Sequence, residues 1–171
     1  MKAVSALTAL AVLFGACFGG DGPPDATSRV TDAVGDVARG PAADAPQPPG
    51  IDLATAELTR ADGTLSFTAT VADPGDERTR VWVVRLRETD GTLLAMLYAS
   101  DSNVLLCDHD RFCTERVEDA TIAQSASSVE VRLPLPKLPD SFEWEASASS
   151  SSTPNIDDTW NDFAPKATLS G

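Results

Sequence analysis

Apolar residues in this chain recur at every second position in short runs, and no long amphipathic helical pattern competes with them. Side chains that alternate in this way divide between the two faces of a β-strand. Ala54, Ala56 and Leu58 alternate, Asp62-Gly63 marks a turn, and Leu65, Phe67, Ala69 and Val71 return on one face. Ser66, Thr68 and Thr70 take the other face, which predicts a hairpin with one dry and one wet side. A second hairpin sets Trp82, Val84 and Leu86 against Arg85 and Arg87, turns at Asp90-Gly91, and returns from Thr92 to Ala99. Val104 to Cys107 and a stretch near Arg116 to Ile122 form a third group. Val129, Val131 and Leu133 then alternate with Glu130 and Arg132. Pro134, Pro136 and Pro139 must interrupt the ladder, because proline has no amide hydrogen to donate. Phe142, Trp144, Ala146 and Ala148 give a last strand, with Glu143 and Glu145 outward. Roughly seven to nine strands at this spacing predict an all-β domain over 29–171. Its expected architecture is a two-sheet antiparallel β-sandwich of jelly-roll or immunoglobulin-like type.

The N-terminus reads differently. Lys2 precedes an apolar run from Ala3 to Phe14 that is too short for a membrane-spanning helix, which needs about 20 residues. Its length suits the h-region of a signal peptide. The segment Leu13-Phe14-Gly15-Ala16-Cys17 resembles a bacterial lipobox, although Phe14 and Gly15 depart from the commonest pattern. The resemblance implies a signal peptide over 1–16, an acylated (palmitate-bearing) Cys17 and a cell-envelope lipoprotein. That protein would sit on the outer membrane or on the outer face of the plasma membrane. Residues 17–28, rich in glycine and proline, read as a flexible tether.

Export bears on the cysteines. With Cys17 assigned to the anchor, Cys107 and Cys113 remain to form a disulfide in an oxidising compartment. So small a loop would contribute about 2 kcal/mol. The chain carries 26 acidic residues against 13 basic ones, a net charge of −13. Nucleic acid and anionic membrane surfaces are therefore poor partners.

Three groups of motifs bear on ancestry. They are Asp32-Ala33-Val34-Gly35-Asp36, Pro49-Gly50-Ile51-Asp52-Leu53 and Asp62-Gly63-Thr64-Leu65-Ser66-Phe67. Together they resemble the opening of secreted bacterial sandwiches related to family-nine-type carbohydrate-binding modules and DOMON domains. Val129 to Leu135 and Asp162-Phe163-Ala164-Pro165 are similar to the closing segments of that group. The resemblance implies a β-sandwich and a site for sugar, for haem or for nothing identified. It also implies that the Gly-Asp turn and the chain end can approach one another, with calcium near such turns in some members.

Candidate residues follow. Asp32, Asp36, Asp52 and Asp162 are the expected calcium ligands, with Asp157 and Asp158 in the same C-terminal loop. The plainer alternative, a tight turn among solvated acids, stands beside that one. Trp82 and Trp144 lie on apolar faces and read as core, whereas Trp160 is either a sugar-stacking platform or a plug for one end of the sandwich. His109, between Asp108 and Asp110, has poor spacing for a metal site. No nucleophile elbow, His-Glu-x-x-His run or phosphate loop occurs, so a non-enzyme is expected. Its two candidate roles are a binding module for an envelope polysaccharide or protein, and an accessory structural lipoprotein without a small ligand.

Overall fold

The computed structural model describes residues 24–40, 47–75, 80–101, 103–107, 116–150 and 160–170. The signal peptide and Cys17, and also His109, Cys113, Asp157 and Asp158, lie outside them. All regular structure among the described residues is β. The strands are β1 (Ala26–Thr31), β2 (Ala38–Arg39), β3 (Leu53–Ala61), β4 (Thr64–Val71), β5 (Val81–Arg87) and β6 (Leu93–Ser100). They continue as β7 (Asn103–Cys107), β8 (Thr121–Gln124), β9 (Ser128–Pro134), β10 (Ser141–Ser149), β11 (Trp160–Phe163) and β12 (Ala167–Ser170). One sheet has the order β1-β3-β4-β9-β8 and the other β2-β11-β10-β5-β6-β7, with β12 also paired to β10. The pairing is antiparallel throughout. The expected two-sheet sandwich is what the chain adopts.

Three details differ from the sequence reading. β1 begins at Ala26, inside the stretch read as tether, because its alternation is polar enough to resemble a linker. Trp160 and Asp162, expected in a loop, lie on β11. The strand expected near Arg116 to Ile122 is displaced: Arg116 makes only an isolated bridge to Leu105, and β8 starts at Thr121.

The inward faces supply the core. Leu58, Leu65, Phe67, Val131 and Leu133 of the first sheet meet Trp82, Val84, Leu86, Leu97, Phe142 and Trp144 of the second. Phe67 and Trp82 touch edge to face across the sheets, with centroids 6.4 Å apart and planes at 63°. Each buried indole finds an acceptor: Trp82 Nε1 donates to Gln124 Oε1 at 3.2 Å and Trp144 Nε1 to Ser28 Oγ at 3.0 Å. The β3–β4 hairpin turns at Asp62 (φ 50°) and Gly63 (φ 70°), the double positive φ of a two-residue turn whose twist matches the strands.

Two buried arginines close the ends. At one pole Arg60 donates from Nε to Pro24 O at 3.0 Å, from Nη1 to Pro139 O at 3.1 Å and from Nη2 to Asp140 O at 2.9 Å. This clamp joins the start of the described chain to the β9–β10 connection, where proline ends the ladder. At the opposite pole Arg80 donates to Ala126 O at 3.0 Å and lies 5.3 Å from the Trp82 ring centroid. Beside it Gly50 (φ 86°) and Gly75 pass back to back, and a Cβ on either would strike the other's backbone or that of Pro49.

Replacing Arg60 by leucine would keep apolar bulk while leaving three carbonyls without their donor. The expected loss is about 2–4 kcal/mol. It should appear as a lower urea midpoint at constant slope, and an unchanged midpoint would count against the clamp.

Candidate metal centre

The segment after β1 is built to turn back on itself. Asp32 N still donates to Ala54 O at 3.1 Å, after which the chain leaves the sheet. Asp32 Oδ1 accepts the amide of Ala33 at 3.0 Å. Gly35, at φ 94°, takes the backbone conformation that side chains disfavour. Its amide donates to both oxygens of buried Asp52, at 3.1 and 2.9 Å. Asp52 therefore holds the loop in place.

Asp162 reaches the same point from the other sheet. On β11 the alternation turns Asp162 inward, 2% exposed, and Phe163 outward, 48% exposed. Asp162 Oδ2 accepts the amide of Leu53 at 2.5 Å, and Oδ1 accepts that of Phe163 at 2.9 Å. The first of these bonds ties the start of β3 to β11. It places Asp162 among the acids of the β1–β2 connection.

Asp32, Asp36 and Asp162 each present a carboxylate oxygen, and the three oxygens lie within 4.8 Å of one another. Asp36 is exposed, whereas Asp32 is 9% exposed. Asp32 Oδ2 is buried and has no hydrogen-bond partner among the described residues. A buried acceptor in that condition costs free energy unless something neutralises it. Burial pushes the Asp162 carboxyl up to about 6, and the charges of Asp32 and Asp36 add to the effect against the amides of Leu53 and Phe163. Burial also raises Asp32, opposed by the Ala33 amide and reinforced by Asp36 and Asp52. A divalent cation would relieve each of these penalties, and calcium takes oxygen ligands from irregular loops of this kind.

Of the four aspartates expected to bind calcium, three converge; Asp52 lies outside that group and braces the Gly35 amide through both oxygens. Trp82 and Trp144 are core, each 1% exposed. Trp160 is half-buried and packed against the core, with the Arg39 guanidinium 5.7 Å from its ring centroid. One neighbour of its ring is therefore a cation of the same chain, donated by β2, where a sugar platform would need open space. Arg39 carried no signal in the sequence, because β2 is only two residues long. Cys107 ends β7 buried and engaged.

Elsewhere the described surface holds a shallow depression of about 300 Å³ over β4, β8 and β9, lined by Thr68, Thr70, Gln124, Ser128 and Glu130. It brings together hydroxyls and one carboxylate.

Without metal, the native Asp162 carboxyl holds its proton more tightly than the unfolded chain does. The stability from that proton is complete below the ordinary value of 3.8 and is lost as pH rises through about 6. Thermal scans in EDTA should therefore show Tm falling between pH 4 and 7. At pH 7, calcium at a hundredfold over its Kd should add about 2.7 kcal/mol, roughly 5–10 °C in Tm. Asp162→Asn should flatten the pH dependence and abolish the calcium shift. A wild-type Tm indifferent to both pH and calcium would contradict the centre. In comparisons with known proteins, no protein-family model matches this chain, and neither does any curated protein sequence.

Proposed function

We propose that this chain is an exported, lipid-anchored, non-catalytic β-sandwich that binds an envelope polysaccharide or protein partner and carries a calcium ion at Asp32, Asp36 and Asp162. One observation carries the reading: carboxylates of Asp32, Asp36 and Asp162 lie together, and one buried oxygen of Asp32 has no partner among the described residues. Solvated surface acids have no reason to be drawn inward in this way. The likeness to carbohydrate-binding modules, resting on the motifs quoted above, favours a glycan as ligand. The lipobox-like segment supplies the anchor at Cys17. Cys107 with Cys113 supplies a disulfide suited to the same compartment.

A second reading, an accessory lipoprotein without a small ligand, draws support from Trp160. Its packing against the core beneath Arg39 is that of a plug for the end of the sandwich.

Two measurements test the proposal. Cys17→Ala should abolish labelling by a fatty-acid analogue and release the protein from membranes; persistent labelling would overturn the anchor. Incubation with cell envelope and with insoluble polysaccharides, in calcium and again in EDTA, tests the ligand. Retention on a glycan, lost in EDTA, is the expected outcome. Retention on envelope alone, stripped by protease and indifferent to EDTA, would favour the accessory reading.

A further inference from the structure

The three converging carboxylates form an incomplete shell. Asp32, Asp36 and Asp162 each bring a carboxylate oxygen within 4.8 Å of the other two, and Asp52 lies outside this group, bracing the Gly35 amide. Calcium takes about six to eight oxygens, so three carboxylate oxygens leave around half of its sphere to loop carbonyls, water or a ligand. The open side is defined by burial. Asp162 and Asp32 close the inner side, and Asp36 stands exposed at the rim.

The two exposed large apolar side chains among the described residues belong to the segments that build this centre. Val34, 66% exposed, lies between Asp32 and Asp36, whereas Phe163, 48% exposed, follows Asp162 and faces the opposite side of β11. An exposed apolar residue beside an open coordination face favours a ligand that has both oxygens and apolar C–H surface. Charge narrows the class further. Three carboxylates outweigh one divalent cation, Asp52 adds a fourth acid nearby, and the whole chain is at −13. An anionic ligand would therefore enter a site that stays negative, whereas a neutral polyol would not be repelled.

We propose that a calcium ion held by Asp32, Asp36 and Asp162 coordinates adjacent hydroxyl oxygens of a neutral glycan directly, with Val34 beside the sugar. This rests on the metal centre proposed above and adds that the ion is itself the ligand-binding group. Sugar hydroxyls would replace coordinated water, with no covalent step.

Terbium substitution can separate the two claims. Terbium bound to the purified protein, excited through the tryptophans, reports its coordinated waters from emission lifetimes in H2O and D2O. Saturating methyl glycosides of mannose, galactose and glucose are the neutral probes; methyl glucuronide and inorganic phosphate are the anionic ones. The expected result is a loss of about two coordinated waters with at least one neutral glycoside. Asp36→Asn, an exposed substitution, should abolish the terbium signal without unfolding the domain. A water count unchanged by every neutral glycoside would overturn the inference and leave the metal centre standing as a structural ion. Water loss with glucuronide or phosphate alone would overturn the assignment of a neutral ligand. Failure to bind terbium or calcium at all would remove both claims.

Discussion

A strand offers its side chains only two directions, and in this protein that constraint decides both the core and the candidate site. Trp82 and Trp144 point inward and hold the sheets together, each with its indole nitrogen satisfied. The same rule on β11 sends Asp162 into the interior and leaves Phe163 in solvent. A shift of one residue in its register with β10 would expose the acid and bury the ring. The Leu53 amide opposes such a shift, since it meets the Asp162 carboxylate only in the register observed. Packing and electrostatics are thus coupled through one short strand, held between β2 and β10.

The sandwich has two unlike ends. At one, Arg60 satisfies three backbone carbonyls and joins the chain at Pro24 to the proline-rich connection before β10. At the other lie the converging aspartates, the back-to-back glycines Gly50 and Gly75, and Arg80 against Trp82. β3 runs from the acidic end to the Arg60 end, so the two are separated by the length of a nine-residue strand, about 30 Å. Under the proposed lipid anchor, a tether attached before Pro24 would leave the acidic end facing away from the membrane.

Much of this was legible in the chain itself. Long strands with strict alternation, such as β4, β5 and β10, announce themselves because one face is buried and the other is wet. Asp62-Gly63 identifies its turn because few residue pairs accept two positive φ angles. The short strands β2, β11 and β12 were not legible, since two to four residues carry too little periodicity to register. The role of Asp52 was hidden for a different reason. Whether a carboxylate faces an ion or a backbone amide depends on where a distant glycine lies, and composition does not report that. Arg60 and Arg80 are the sharpest case: as cations they read as surface residues, yet both are buried, each donating to backbone carbonyls where strands end.

The Arg60 clamp also sets how the domain would respond to mechanical force. A pull on the chain ahead of Pro24 arrives first at a guanidinium fastened to the opposite sheet's entry loop, and then at β1. β1 lies antiparallel to β3 along six paired residues. With the far end of the domain held by whatever it grips, that pull runs along the strands, and the hydrogen bonds between them share the load in shear. Peeling them one at a time would require a pull from the side. A domain loaded in this way resists extension through its geometry as well as its free energy of folding, a property suited to the anchor and ligand proposed for it.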